Sequence, residues 1–362
     1  MADTLYFSRD TKVYVEIGSD VWEIPVLDGF SFSQATNTSE ITLNEMADSA
    51  GNSRRARQMF TDSYAPAEWS FSTYVRPFVS AGTGAGAADD AANHHAVEEV
   101  LWALMAGAAT YASNTFTGFT ADTTDLNIDF DSSNKVTLGT ANIYFVMGGA
   151  GTGTKTTYKI EGCVVNEASI DFDIDGIATI AWSGMGKIIT EASEPTATVY
   201  EAVSSTSNFI RNRLTTIAIS STSPTSTTYD LVLTGGNIAI SNNLTFLTPE
   251  TLGVVNQPLG HVTGTRSVSG SFTCYLNAET DSSADLFENI IEGTSTITNA
   301  FDLAFKIGGS SGTPRLEFAT ANCHLEVPTH SIDDVISIET NFHALPSTIS
   351  ETDEVVITYV GA

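Results

Sequence analysis

Acidic side chains alternate along one short segment and are the first candidates for chemistry. Asp171, Asp173 and Asp175 alternate with apolar residues, so a β-strand here places the three carboxylates on one face. Such a face suits calcium binding or a general acid and base for glycoside cleavage, and it is also typical of the solvated side of a half-buried strand. The EF-hand motif is excluded, because no helix-flanked loop with its closing glutamate follows. A further interpretation is a charged wall past which a polyanion slides.

The histidines and the glycine- or serine-rich motifs do not combine into a recognisable catalytic or metal site. His94 and His95 are neighbours, and neighbouring helical residues point in different directions, which disfavours joint metal binding. His324 and His330 flank a predicted strand and turn without a second cysteine. The glycine-rich run 148–153 lacks the Lys-Ser/Thr ending of a phosphate loop, and no serine lies in a strand–turn–helix elbow. We therefore predict no catalytic residue, no metal ligand and no cofactor.

One basic cluster stands out against an acidic background. Arg54, Arg55 and Arg57 supply three of the 15 lysines and arginines. A nucleic-acid or nuclear signal is one interpretation of such a cluster. On a chain this acidic, the cluster favours docking onto an acidic surface of another copy of the same protein.

The overall charge restricts the possible partners. Fifteen basic residues oppose 43 acidic ones, which gives a net charge of −28. Wrapping nucleic acid requires cationic side chains, so this balance argues against it, whereas a surface that repels a polyanion is compatible with it. Adaptation to a saline or cold environment is the alternative. Charged residues make up only 16% of the chain, so Ser, Thr, Gly and Asn must cover much of the surface, which favours strands and turns.

Cysteine usage and the absence of targeting segments indicate the compartment. Three cysteines do not make a disulfide framework, and Cys163 and Cys323 are predicted to play the same buried structural role in two repeats. The N-terminus lacks the basic and apolar regions of a secretory signal. No apolar run approaches the roughly 20 residues of a membrane helix. We expect a soluble protein made in a reducing cytoplasm, without a membrane anchor.

The same sequence pattern occurs twice, about 200 residues apart, and in the same order. The matching segments are Phe7-Ser8-Arg9-Asp10 with Phe209-Ile210-Arg211-Asn212, Trp22-Glu23-Ile24 with Tyr229-Asp230-Leu231, residues 70–75 with 271–276, the helical stretches 100–107 with 286–293, Gly162-Cys163 with Asn322-Cys323, and Ile174-Asp175-Gly176-Ile177 with Ile332-Asp333-Asp334-Val335. We therefore divide the chain into a first repeat (residues 1–195), a linker (196–208) and a second repeat (209–362). A repeated module often indicates pseudosymmetry in an assembly.

Most of each repeat has the pattern of short antiparallel strands, with one helix. Alternation predicts strands at Glu68–Arg76 and Ser169–Asp175, and the second repeat has Thr265–Asn277 and Val335–Phe342 in matching places. Helical spacing predicts one helix at Ala91–Ala106, ended by glycine, and a counterpart at about Ser282–Glu292. The predicted fold class is mainly β (α+β), with two tandem β-sandwich or half-barrel domains, each flanked by one helix.

Long segments and insertions distinguish the repeats. A segment without clear periodicity follows the early hairpin in both, at Ala35–Ala67 and Asn242–Gly264, and such segments usually serve binding. The first repeat also has insertions near 80–92 and 112–134, both predicted to be surface loops.

This order of elements, with its acidic and Ser/Thr/Gly-rich composition, resembles the tail tube proteins of long non-contractile-tailed bacteriophages (siphophages). The resemblance implies β-sandwich domains flanked by one helix, arranged in rings of six whose inner strands form a continuous barrel around a lumen. Rings stack through the long loop after the early hairpin. In a subgroup, each polypeptide carries two tube domains and three chains build a ring, and the duplication here is similar to that subgroup.

The resemblance also assigns roles to residues and names partners. It implies that Arg54, Arg55 and Arg57 lie at a ring–ring contact. It implies that the inner barrel is built from the strands Glu68–Arg76 with Ser169–Trp182 and Ser269–Asn277 with Val335–Phe342, and that its lumen-facing acidic candidates are Asp171, Asp173, Asp175 and Glu339. The implied partners are other copies of the chain and the tail tape measure, tail terminator and distal tail proteins. The resemblance further implies that double-stranded DNA passes through without specific binding and that the protein belongs to a virion assembled in the host cytoplasm.

Two other function classes compete with the tube subunit. A two-domain β-sandwich adhesin or virion decoration protein predicts loops with aromatic pockets and a monomer in solution. A carbohydrate-active enzyme predicts two carboxylates about 5–10 Å apart in a cleft. We expect a structural protein and not an enzyme.

Overall fold

The computed structural model describes residues 6–42, 49–50, 57–107, 110–130, 138–149, 155–199, 208–221, 226–292, 301–310 and 314–361. In the first repeat the elements are β1 (Tyr6–Ile17), β2 (Asp20–Ile24), β3 (Ser31–Thr42), β4 (Arg57–Tyr74), β5 (Pro77–Val79), β6 (His94–Ala96), α1 (Glu99–Ala106), β7 (Tyr111–Ala112), β8 (Thr115–Phe116), β9 (Phe119–Ala121), β10 (Leu126–Ile128), β11 (Ala141–Gly149), β12 (Lys155–Asp173), β13 (Thr179–Gly186) and β14 (Ile188–Ala192). In the second they are β15 (Thr216–Ser221), β16 (Thr227–Tyr229), β17 (Leu233–Ser241), β18 (Thr245–Leu247), β19 (Gly260–Val262), β20 (Ser267–Tyr275), α2 (Ser283–Glu292), β21 (Phe301–Ile307), β22 (Arg315–Leu325), β23 (Thr329–Ile332), β24 (Ile336–Ala344) and β25 (Val356–Val360). Short 3-10 turns lie at Gly86–Asp89 and Asn212–Leu214.

One antiparallel sheet, called the inner sheet below, runs through both repeats. Its strand order is β3-β4-β13-β12-β17-β20-β24-β23. The first four strands belong to the first repeat and the last four to the second. The repeats meet where β12 pairs with β17, so the backbone hydrogen bonds of the sheet cross the boundary between them without interruption.

Each repeat adds an outer sheet behind the inner one. The first outer sheet has the order β2-β1-β11-β12-β14, and the second has the order β16-β15-β21-β22-β25-β10-β9. Large apolar side chains from both layers fill the space between them, and a single core cluster spans both repeats. The mainly β fold predicted from the sequence is confirmed.

A single long strand belongs to both layers of the first repeat. The first half of β12 pairs with β11 and β14, and its second half pairs with β13 and β17. Gly162 has a φ of +61°, and the register shifts between Val165 and Glu167, so the strand bends between the two sheets. Its content of β-branched and aromatic residues supports so long an extended segment.

The helix of the first repeat is shorter than its apolar periodicity predicts. It begins at Glu99 rather than near Ala91, because His94–Ala96 pairs with Pro77–Val79 as a short ladder. It ends as predicted at Gly107, whose φ is +87° and whose N–H donates to the carbonyl oxygen of Ala103. The second helix, Ser283–Glu292, lies within one residue of its predicted start.

Both insertions of the first repeat were predicted to be surface loops. The first is mostly exposed or half-buried and contains only a short 3-10 turn, whereas the prediction is wrong for the described part of the second. Phe116, Phe119, Leu126 and Ile128 in the second insertion are buried. Its strand β10 pairs with β25 near the chain's C-terminal end. In the first insertion Ala87 is buried, and Gly86 lies close to the side chains of Val199 and Tyr111. Apolar residues in these stretches are too scattered to show a period, so the sequence hides their packing.

The long segment of the first repeat is largely a β-hairpin rather than a loop. β3 and β4 pair from Ser31↔Ser70 to Thr42↔Arg57, whereas the neighbouring strand β13 reaches only Ala67 of β4. The part beyond Ala67, residues 35–42 with 57–66, therefore projects past the inner sheet. We call it the arm. Its side chains alternate poorly and are mostly exposed, which explains why a period was not visible in the sequence.

Candidate functional site: an acidic sheet face and the joint between the repeats

Alternation along β12 separates its carboxylates from the core. Asp171 and Asp173 are exposed, while Ile170 and Phe172, which alternate with them, are buried. The predicted facing is therefore confirmed within the strand. The partners of the two aspartates on the next strand are Asn237 and Gly235, so the exposed face continues across the boundary between the repeats.

This exposed face of the inner sheet is uniformly acidic. The segments where its strands lie side by side are 31–35, 67–74, 164–173, 179–186, 233–241, 267–275, 329–332 and 336–344. They contain five carboxylates, namely Glu68, Glu167, Asp171, Asp173 and Glu339, and all five are exposed. None of these segments contains a lysine or an arginine. The other exposed positions are mainly Ser, Thr, Asn and Ala, with two histidines, His330 and His343, so the fixed charge of this face is negative.

Glu339 belongs to the same face as the aspartates of β12. Asp173 opposes Gly235, Gly235 opposes Thr273, and Thr273 opposes Glu339. The four residues therefore form one row across four strands, and the strand spacing puts the two carboxylates at its ends about 14 Å apart. They are too far apart to work as a catalytic pair on one bond.

Asp175 does not share the setting of Asp171 and Asp173. It follows the end of β12 in the turn before β13, and its carboxylate lies 3.5 Å from the guanidinium of Arg213. The predicted common face for three aspartates is therefore wrong at its last member, and Ile174 beside it is exposed instead of buried. The alternating pattern continues past the residue where the strand ends, so the sequence alone overextends it.

Only part of the basic cluster can be located. Arg57 lies at the tip of the arm, is exposed, and has its guanidinium 3.5 Å from the carboxylate of Glu40 on the paired strand. Arg54 and Arg55 lie outside the described residues. The arm also exposes Ile41, Met59 and Phe60.

The long segment of the second repeat contacts the arm through backbone hydrogen bonds. The backbone N–H of Tyr64 donates to the carbonyl of Asn256 at 2.9 Å, and the N–H of Asn256 donates to the carbonyl of Asp62 at 3.1 Å. Around this contact the segment exposes Leu252, Val254 and Leu259. Both predicted binding segments therefore lie together at one end of the inner sheet and present apolar side chains there.

The joint between the repeats is a close-packed apolar contact. Ile170 on β12 opposes Ile238 on β17, and the ring of Phe172 packs against that of Phe305 at 5.7 Å between centroids. All four side chains are buried. The sheet therefore continues through the boundary, and one core cluster is shared across it.

Helix α1 is enclosed in this joint. The ring of Trp102 packs edge-on against Trp182 of its own repeat, and its indole N–H donates to the hydroxyl of Tyr359 in the second repeat at 2.6 Å. The side-chain amide of Asn242 donates to the carbonyl of Met105 at 3.0 Å. Every residue of the helix is buried. The sequence signal was present, because a helix that is apolar on all sides must be covered on all sides.

A buried carboxyl lies at the end of this helix. The hydroxyl of Tyr359 donates to Glu98 at 2.7 Å, and the backbone N–H of Arg76 donates to the same carboxyl at 3.2 and 3.3 Å. Burial raises the pKa of Glu98 to about 7, although the hydrogen bonds from Tyr359 and Arg76 oppose the shift. The carboxyl links the last strand of the chain to the helix of the first repeat.

The raised pKa of Glu98 predicts how stability depends on pH. The folded chain keeps this proton up to about pH 7, whereas an unfolded glutamate releases it near 4.3. The contribution is therefore complete below about pH 4 and is lost, by about 3 kcal/mol, as the pH rises through 7. Glu98→Gln stays neutral, so we expect its free energy of unfolding in urea to fall less than that of the natural chain between pH 5 and 8. The exposed control Glu279→Gln should follow the natural chain, and equal pH dependence of both variants would contradict this role.

The strand registers align the repeats residue by residue. Ala141 opposes Cys163 and Phe301 opposes Cys323, so the two cysteines hold the same ladder position, as predicted. All three cysteines are buried and unpaired, and burial raises the pKa of Cys323 to about 11, which makes it unreactive.

When residues are counted onward from Cys163 in the first repeat and from Cys323 in the second, Ile332 falls at the position of Phe172. His330 falls at the position of Ile170. The turn after β23 is two residues shorter than the turn after β12, so the predicted match of Ile174 with Ile332 is wrong. The match of Ile177 with Val335 agrees with the registers that follow the turn.

The same alignment applies to β3 and the helices. Phe32 on β3 corresponds to Ile238 on β17, because each opposes the matching residue of the Ser-Phe-Ser/Thr strand. Met105 of α1 corresponds to Ile291 of α2. The first of these two helix side chains is 0% exposed and the second 44% exposed.

Within the described ranges, no three or more His, Cys, Asp or Glu side chains are grouped to hold a metal ion. No helix in the same ranges has both the length and the apolar character needed to cross a membrane. His94 and His95, for which the sequence disfavours joint metal binding, lie on β6, and His95 is buried between Glu99 and Asp90.

The described residues thus form a two-layered β-fold with an acidic face and two open edges on its inner sheet. A family model described as phage tail tube protein matches residues 101–344. The chain is 30% identical over 369 residues to tail tube protein pb6 of Escherichia phage T5, and the match covers 97% of this chain and 75% of that protein. The chain therefore belongs to the phage tail tube protein family.

Membership of this family confirms the structural role predicted from the sequence. The protein is a component of the phage virion that assembles with itself into the tail tube, in association with other tail proteins.

Proposed function

We propose that three chains form a closed ring of six domains, and that stacked rings form a tube whose acidic lumen conducts DNA. The observation that carries the proposal is the contrast between matching positions. Phe172, at the joint within the chain, is 3% exposed, whereas Ile332, at the same position in the second repeat, is 78% exposed. The second repeat therefore buries Phe172 of the first repeat, while its own Ile332 stays exposed. In the proposal, another chain packs against Ile332.

The inner sheet ends at β3 on one side and at β23 on the other, and in the proposed ring these two edges pair between neighbouring chains. Among the described residues, β3 pairs only with β4 and β23 only with β24. An open edge invites pairing with another chain, and a closed ring leaves no edge. If the ring repeats the β12–β17 register, residues 327–333 of one chain pair with residues 29–35 of the next, with His330 opposite Phe32. The exposed stripe of α2 would then be covered as α1 is covered within the chain.

The exposed face of the inner sheet then becomes the wall of the lumen. Three chains with eight inner strands each, about 4.8 Å apart, give a backbone diameter of at least about 37 Å. That is wide enough for a DNA duplex. Asp171, Asp173 and Glu339 would face the DNA, and Asp175 would lie at one rim. A wall without cationic side chains repels the phosphates of DNA. Because no side chain of the wall displaces counterions from the DNA, the DNA slides through without specific binding.

In the proposed tube, rings stack through the arm and through the long segment of the second repeat that contacts it. Both project from one end of the inner sheet, which is where the next ring would lie. Arg54, Arg55 and Arg57 would bring positive charge to an acidic neighbour, and Met59 and Phe60 would add apolar contact that does not depend on charge. The tape measure, terminator and distal tail proteins are the proposed further partners, and the subunit performs no catalysis.

Native mass spectrometry of the purified protein at rising concentration tests the stoichiometry. The chain mass is 38.4 kDa, so we expect a first closed species of three chains at about 115 kDa. A first closed species of six chains, or a monomer at every concentration, would contradict the proposal.

A further inference from the structure

We infer that residues Phe7–Asp10 of one chain dock onto the second repeat of the neighbouring chain, at Tyr275 and the turn between β23 and β24. This inference rests on the proposed ring and adds a contact to it outside the sheet. The occupant is a second copy of the same chain, because the docking motif and its receiving surface both occur twice in the sequence and meet once within the chain.

The template for the contact is the match of this motif in the second repeat, Phe209–Asn212. Its Ile210 carbonyl accepts a hydrogen bond from the N–H of Ala178 at 2.9 Å, and its last residue donates its N–H to the carbonyl of Gly176 at 3.1 Å. Its first aromatic ring packs edge-on against Tyr74, with centroids 5.2 Å apart. The segment thereby fastens the second repeat to the turn between β12 and β13.

The surface of the first repeat that receives Phe209–Asn212 has a counterpart on the second repeat, where it is exposed. The N–H of Leu276 donates to the carbonyl of Ile336 at 2.9 Å, as the N–H of Val75 donates to that of Ala178 at 3.0 Å. Tyr275 therefore stands where Tyr74 stands, and Ile336 where Ala178 stands. Ala178 is buried beneath Ile210, whereas Ile336, Tyr275 and the neighbouring Val335 are exposed.

The docking segment is also displayed at the surface. Tyr6 opposes Gly149 and Thr11 opposes Met147, so the four residues Phe7–Asp10 lie against a single residue of β11 and bulge out of the ladder. Phe7 is exposed, and the guanidinium of Arg9 lies 5.4 Å from its ring centroid. A bulge next to an exposed aromatic side chain leaves both the backbone groups and the ring available for a neighbour.

Cysteine cross-linking tests the contact directly. Within the chain Ile177 and Arg211 form an isolated antiparallel bridge, whose matching positions are Val335 and Arg9. The α-carbons of such partners lie about 4.5–5.5 Å apart, within reach of a disulfide. We expect the double variant Arg9→Cys, Val335→Cys to give covalent dimers and trimers on oxidation of assembled protein. The matched control Ile177→Cys, Arg211→Cys should instead cross-link within single chains, and the natural cysteines are buried.

The outcomes separate this inference from the ring itself. Rings visible by electron microscopy, with a cross-linked control but no cross-link between Arg9→Cys and Val335→Cys, would overturn the docking contact and leave the ring intact. Absence of rings in the natural protein would overturn both.

The aromatic pair supplies a second measurement. We expect Phe7→Ala and Tyr275→Ala each to raise the concentration needed for ring formation by roughly two- to tenfold, the range of an aromatic pair, and the double variant to be no worse than either single one. If the effects of the two substitutions on the assembly concentration were fully additive, the aromatic side chains of Phe7 and Tyr275 would not be in contact. Phe209→Ala, the control, should lower the stability of the chain itself.

Discussion

Ile332→Asp is expected to abolish ring formation while leaving the isolated chain folded. The side chain is 78% exposed, so a carboxylate there costs the single chain little. In the proposed ring the same position is buried against the neighbour as Phe172 is buried against Phe305. An unpaired carboxylate enclosed in that contact costs about 3 kcal/mol or more at each of the joints, a factor above a hundred per joint.

Sedimentation velocity of the purified variant checks this, with circular dichroism to confirm the fold. Ile349→Asp is the matched control, because Ile349 is also exposed in the single chain but lies between β24 and β25, outside the proposed joint. We expect the control to assemble as the natural chain does. Rings formed by Ile332→Asp at unchanged concentration would show that the uncovered face of the second repeat is not the ring contact.

Reversing the lumen charge is expected to turn a passive channel into a DNA-binding one. The triple variant Asp171→Lys, Asp173→Lys, Glu339→Lys replaces three exposed carboxylates on one face with cations. DNA inside such a tube would release counterions as it binds, so its affinity should fall by roughly a thousandfold or more between 50 and 200 mM salt. Assembled tubes of the natural chain should retain no duplex DNA at either salt concentration.

Co-sedimentation of assembled tubes with a short duplex measures this retention. The control variant Asp89→Lys, Glu279→Lys, Glu351→Lys makes the same change in net charge at exposed positions outside the inner sheet. We expect the lumen variant to retain DNA at 50 mM salt far more strongly than the control. Equal retention by both variants would mean that the acidic sheet face is not the lumen wall.

The sequence predicted the repeats and the facing of their strands because both depend on local pattern. Alternation placed Asp171 and Asp173 opposite the core, and the match of Cys163 with Cys323 gave the register later seen in the ladders. Where a pattern runs past the end of its element, as at Asp175, the same reasoning failed, since periodicity carries no signal for where a strand stops.

The joint between the repeats could not be predicted in the same way. Tyr359 lies far in sequence from both Trp102 and Glu98, and its contacts with them depend on how two sheets pack together. The burial of the second insertion likewise depends on β25, which comes over 200 residues later. Such long-range contacts leave no periodic trace, although the helix Glu99–Ala106 is apolar at every position after Glu99, a pattern typical of a helix covered on all sides.

The rotational symmetry of the assembled tube tests the central claim most directly. Cryo-electron microscopy at a resolution that separates strands would show it. The proposal predicts three chains per ring, two quasi-equivalent domains from each, and the face carrying Asp171, Asp173 and Glu339 turned to the lumen. A ring of six chains, or a lumen lined by the outer sheets, would contradict it.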